Sequence, residues 1–166
     1  MTPLNLSLSE IAPYLRMGKE LPQGELAGRV KLLLFEAPLK PKGAWTPDGD
    51  RFLLCGTVGA EFDAWHRRLA VTSATDALIA QAIGTAAVEK VMDGLEEEIR
   101  GMLRHGETIR PRRSPGYGEL PLELSREILT KLDATRRLGV SLTESLLLVP
   151  TKSVTALCEK RISEDD

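Results

Sequence analysis

Apolar and polar positions change rhythm several times along the chain, and each change marks an element. Leu26, Val30, Leu33 and Leu34 recur at helical spacing, which predicts a helix opened by Pro22 and closed by Pro38. Residues 9–15 mix the two classes around Pro13, so only a short helix is expected there. The stretch APLKPKGAWTPDGDR holds three prolines among charged residues and reads as a surface connector, with a turn at Pro47-Asp48-Gly49. RFLLCGT, residues 51–57, is a short apolar run, the pattern of a buried strand. Gly56 and Gly59 punctuate its end, and AEFDAWHRRL starts a helix at once.

The longest pattern follows. Val88, Val91, Met92, Leu95, Ile99, Met102 and Leu103 recur at three- and four-residue steps, with Ser73 or Thr75 as the cap and His105-Gly106 as the stop. Glu89, Lys90, Asp93, Glu96, Glu97 and Arg100 fall on the opposite face, where solvent is expected. Residues 122–132 form a further amphipathic helix with Leu124, Ile128 and Leu132 inward, in a region that ends at Gly139. LLLV and SVTALC, separated by Pro-Thr-Lys, predict a terminal hairpin, and SEDD a frayed end. The sum is an α+β domain: a small antiparallel sheet packed against several helices, including one long central helix.

Composition narrows the function. A chain of 166 residues with 42% hydrophobic and 28% charged positions can bury one core. A net charge of −2 gives no global argument for nucleic acid or an anionic membrane. No apolar run reaches the ~18 residues of a spanning helix, and the N-terminus lacks the basic start and apolar core of a signal peptide. Cys55 and Cys158 show neither metal-ligand spacing nor a disulfide framework, so a cytoplasmic protein with reduced thiols is expected. His66 and His105 are too few and too isolated for a metal site.

The chemistry concentrates in RRSPGYGELPLE. Pro115 fixes its own backbone and Gly116 permits a positive φ, so Ser114 to Tyr117 can form a tight turn. Such a turn exposes main-chain groups to the edge of a ring, Tyr117 adds an aromatic face, and Arg112 adds a fork for a carboxylate. These features suit an amino-acid-like end joined to a nucleoside; a solvated basic loop with a packed tyrosine is the plainer reading. Glu89 divides the same way, between a ligand-binding carboxylate and a surface charge. CGTVGAEFD lacks the GxGxxG spacing and reads as a helix-packing turn. Arg110, Arg112 and Arg113 suggest a nucleic-acid patch, but aromatic residues make up only 4% of the chain, too few for base stacking. Cys158 is either reactive or, more simply, an apolar filler in a strand.

RRSPGYGELPLE followed by RRLGVSLTESLLLVPTKSVTAL resembles the activation (reactivation) domain of cobalamin-dependent methionine synthase, in its short stand-alone form. LLCGTVGAEFD and ATDALIAQAIGTAAVEKVMDGLEEEIR follow the same pattern, and the likeness spans residues 51–157. On this resemblance residues 51–166 form the activation-like region, and residues 1–50 a diverged helical segment and Pro-rich connector of the same domain. The resemblance implies binding of S-adenosylmethionine and support for reductive remethylation of cob(II)alamin on a methionine synthase or related corrinoid methyltransferase. It further implies that Arg112 holds the methionine carboxylate, that Ser114, Pro115, Gly116 and Tyr117 form the ligand loop, and that Glu89 contacts the ligand. The implied partners are a cobalamin-binding module, which carries the cobalamin, and a flavodoxin as electron donor; self-association through the long helix or the hairpin edge is a further option. No nucleophile or general base emerges, so the expectation is an accessory component, not an independent enzyme. The chain departs from the pattern in ending CEKRISEDD with no aromatic residue, and in its shorter N-terminal part. Those departures leave a second reading, an interaction or assembly protein that keeps the fold without the ligand.

Overall fold

RFLLCGT forms the strand its pattern predicts, β2 (Arg51–Thr57), in a computed structural model that describes residues 4–18 and 20–162. It is apolar throughout because both faces are covered. Phe52 and Leu54 meet Met92, Leu95 and Ile99 on one side; Leu53 and Cys55 meet Ile128, Leu129 and Leu132 on the other. The edge strand β1 (Lys42–Asp48) pairs antiparallel with β2, and β6 (Ser153–Ile162) pairs along the other side of β2. The short β3 (Glu107–Ile109) closes the four-stranded sheet on β6. A separate two-stranded ladder joins β4 (Ser141–Leu142) to β5 (Leu148–Val149).

Helices cover both faces. On one lies α4 (Ala74–Met102), 29 residues or about eight turns. Its cap is Ser73, whose Oγ accepts from the Asp76 amide. Around its first half pack α1 (Leu8–Ile11), a 3-10 turn (Ala12–Leu15), α2 (Gly24–Glu36) and α3 (Ala60–Thr72). The other face carries α5 (Leu124–Leu132) and α6 (Ala134–Leu138). The architecture is α+β, as the periodicities predict. Among the described residues no helix is long and apolar enough to cross a membrane.

Glycines set the layer spacing. A Cβ on Gly56 would lie 2.8 Å from Met92 Sδ, and one on Gly84 2.6 Å from Phe62 Cε1. The first lets α4 approach the sheet and the second lets α3 approach α4, so CGTVGAEFD acts through packing.

Three expectations change. The supposed connector contains β1: Pro47 is tolerated because an edge strand needs no donor there, and Asp48 and Arg51 flank a two-residue turn with Gly49 at φ 62. The terminal hairpin does not form. Only Leu148 and Val149 of LLLV pair, with Leu142 and Ser141, whereas β6 lies between β2 and β3, because long-range pairing buries both of its faces. Glu96 leaves the solvated face of α4 and is buried, for a reason given by the site. The SEDD tail lies outside the described residues.

Candidate functional site

The site is built where the chain after β3 stops behaving as a regular strand. Ile109 pairs with Lys160, but the next bridge joins Arg113 to Leu157, so four steps on one strand match three on the other. That extra residue is a bulge, which turns a side chain onto the opposite face. Ile109 packs toward α4, and the bulge sends Arg112 to the same layer, although the two are an odd three positions apart. There the Arg112 guanidinium meets three carboxylates one helical turn apart: Glu89 at 2.5 Å, Asp93 at 2.7 Å and Glu96 at 2.6 Å.

The burial of Glu96 follows. Its carboxylate accepts from Arg112 on one oxygen and from Arg100, at 2.8 Å, on the other, and its side chain is 8% exposed. Burial disfavours the charge of Arg112, but hydrogen bonds to Asp93, Glu96 and Glu89 outweigh it and hold its pKa above the ordinary arginine value. The other two arginines of the run, Arg110 and Arg113, share Glu159. All three cations are therefore met by carboxylates.

Beyond Arg113 the predicted turn is present. Tyr117 N–H donates to Ser114 C=O at 3.2 Å, and Gly116, between them, has φ 88. Gly116 N–H then donates to Leu120 C=O at 2.9 Å, which closes the loop on itself. Pro115 is buried beneath the turn, while Tyr117 is 76% exposed at its crest.

The turn forms one lip of a cleft of about 930 Å³, within the usual range for small-molecule sites. Glu89, Arg112, Ser114, Pro115 and Tyr117 all line it, and Gly116 shapes the turn without lining the space. The opposite lip is the loop from Thr143 to Thr151, with Leu146, Leu147 and Val149 facing in. Hydroxyls make the floor: Ser125 and Thr155 share a buried hydrogen bond of 2.9 Å, and Ser153 donates to Thr57 at 2.8 Å. The cleft thus has an ion-paired end, a hydroxyl floor and an apolar rim.

Sequence reasoning missed the second lip, the floor, and the carboxylates Asp93 and Glu96. Their i, i+4 and i, i+7 spacing from Glu89 was visible, but the arginine that gathers them arrives only through the bulge. Tyr14 was missed as well. Burial first, then the charges of Glu89 and Asp93, raise its phenol pKa, which ties it electrostatically to the ion-paired end. Lys90, bonded to Asn5 C=O and Glu10, holds that N-terminal segment against α4. The thiols lie apart from this chemistry: burial pushes Cys55 up to about 12 and Cys158 up to about 11, and both are core fillers.

Among solved structures the chain is similar to the MetH reactivation domain bound to AdoHcy, seen in a crystal structure. The TM-score is 0.62 at 14% identity, covering 87% of this chain and 69% of that one. No family model matches the chain, and no curated protein does. The likeness defines a class of fold, that of the reactivation domain.

Proposed function

We propose that the cleft binds S-adenosylmethionine and that the protein presents this methyl donor to a corrinoid methyltransferase, as a reactivation partner acting in trans. One observation carries the reading: Arg112 and Glu89 meet at one end of a cleft whose lip is the Ser114–Tyr117 turn. A guanidinium with a carboxylate beside it suits the two charges of an amino-acid end, and the hydroxyl floor suits a ribose. The similar fold is that of a domain bound to AdoHcy, the demethylated form of the same ligand. The protein's part is to bind, orient and shield the donor; the partner's corrinoid receives the methyl group, and a separate donor such as a flavodoxin supplies the electron.

Isothermal titration with S-adenosylmethionine and S-adenosylhomocysteine tests this directly. Saturable binding of both is expected, and Arg112→Ala should weaken it by roughly 1.5–3 kcal/mol, the worth of a charge-assisted contact. An unchanged affinity removes Arg112 from the site.

A second reading draws on a specific feature. The Arg112 fork already meets three carboxylates, and the rim exposes Tyr117, Leu147 and Val149. That combination favours an assembly protein whose rim contacts another chain and whose arginine is structural. No heat at millimolar ligand supports it.

A further inference from the structure

The helix α2 carries two apolar stripes. One is the predicted stripe of Leu26, Val30 and Leu33, which enters the core around the first half of α4. The other is Gly28, Leu32 and Phe35, spaced four and three residues apart and so aligned along the outer side. Phe35 is 89% exposed and Leu32 43% exposed. A lone exposed apolar residue needs no explanation, but a second stripe on a helix already anchored by its first one does.

Beside the outer stripe lies a groove of about 510 Å³ between α2 and the start of α4. Gly28 keeps it open, since a Cβ there would meet nothing within 4 Å. Leu26 and Leu32 line the groove from α2 and Thr75 lines it from α4. Leu78, one turn past Thr75 and 67% exposed, continues the apolar rim. The Arg29–Asp76 ion pair ties the two walls together.

A bare ring and an open hollow thus share one helix, seven residues or about 10.5 Å apart. A second copy of α2, run antiparallel about a two-fold axis next to Leu32, satisfies both at once. Phe35 of each copy enters the hollow at Gly28 of the other, and the two Leu32 side chains meet at the axis. The charges agree with this register. Arg29 follows Gly28 and Glu36 follows Phe35, so both lie on one flank of the seam. The antiparallel pair then sets Arg29 of one copy beside Glu36 of the other, on both sides of the axis. Asp76 accepts from Arg29 Nε and Nη2, and the half-exposed guanidinium has further N–H groups for that contact. Lys31, on the other flank, faces its own copy; its long stem carries the ammonium out to solvent, where screening weakens the repulsion.

We infer that the outer face of α2 is a self-association surface, on which a second copy of this chain docks through Phe35, Gly28 and Leu32. A partner of unrelated sequence requires neither a hollow beside the ring nor matching flank charges, whereas a two-fold contact requires both on the same patch. None of these residues lines the larger cleft, so the pairing is independent of what that cleft binds. One helix pair with a turn of α4 at its margin is a small interface, and micromolar affinity is expected.

Sedimentation velocity on the full chain tests the pairing: dimer should dominate at about 200 μM and dissociate at about 1 μM. Phe35→Asp places a charge in the apolar hollow and should weaken the dimer at least about a hundredfold, with the melting midpoint of the dilute monomer nearly unchanged. Gly28→Leu fills the hollow from within and should weaken the dimer at least about tenfold, while the better helix former raises the midpoint of the monomer. Glu36→Lys should weaken it about fivefold and abolish its sensitivity to salt. Monomer throughout overturns the proposal and leaves the face to a different chain. A dimer indifferent to Phe35→Asp forms through another surface, which overturns it as well. A dimer broken by Phe35→Asp but untouched by Gly28→Leu overturns the register proposed for the ring.

Discussion

The two halves of α4 are one uninterrupted helix with opposite duties. From Ile79 to Val88 it is buried on nearly every side, and small residues dominate: Ala80, Ala82, Gly84, Ala86 and Ala87 let neighbouring helices come close. From Glu89 onward only one face is buried on the sheet, and the next carries the three carboxylates that gather Arg112. The first half is a wall that sets distances by lacking side chains. The second sets charge, through the carboxylates that gather Arg112. Stability and binding should therefore separate along a single helix.

The largest expected effect tests the packed half. Phe62→Ala removes a ring that is 1% exposed and packed against Gly84 and Trp65. It should cost about 3–5 kcal/mol in denaturant unfolding, while ligand affinity of the remaining folded protein stays within twofold. A matching loss of affinity would mean that the two halves are coupled. Arg112→Ala should lose binding as given above and stability as well, because it strips Glu89, Asp93 and the buried Glu96 of their shared cation; Arg112→Lys keeps a charge there, and should lose binding with a smaller change in the melting midpoint.

Gly116→Ala comes next, at about 1–2 kcal/mol, because a side chain at φ 88 is strained and its Cβ would lie 3.1 Å from Leu122 Cδ1. Part of that cost should appear as weaker binding, since the turn forms the cleft lip. Equal affinity for the two proteins would separate the lip from the ligand.

The smallest effect concerns acid. Hydrogen bonds from Lys90 and the Ser7 backbone lower the Glu10 carboxyl from 4.5 to about 2. Because its folded pKa is depressed, its stabilising contribution is complete above about 4.5 and is lost as the pH falls through about 2. The Glu10–Lys90 pair is well exposed, so only local loosening is expected. Amide exchange in residues 7–11 should rise over that window before the sheet responds. Simultaneous loss of both would show that the clamp belongs to the global unit.

Much of this was legible along the chain. Period 3.6 in residues 88–103 and 122–132 reports burial on one side of a helix, and RFLLCGT reports burial on both sides of a strand. The tight turn at Ser114 to Tyr117 followed from Pro115 and Gly116 alone, because proline and glycine restrict or permit φ locally. The connector and the terminal hairpin were misread because β1 and β6 are defined by their partners. β1 holds a proline that only an edge position excuses, and β6 pairs with residues about a hundred positions away. Glu96 was misread for a similar reason: periodicity assigns a face, but the bulge after β3 brought a cation to that face.

By itself, then, the sequence determined the helices, the buried strand, the turn and the α+β class, all of which depend on local dihedral preference and on which side is apolar. Tertiary structure alone decided that Arg112 meets Glu89, Asp93 and Glu96 and that a second lip faces the first. Those features depend on register and on the bulge after β3, which exist only once distant segments are side by side.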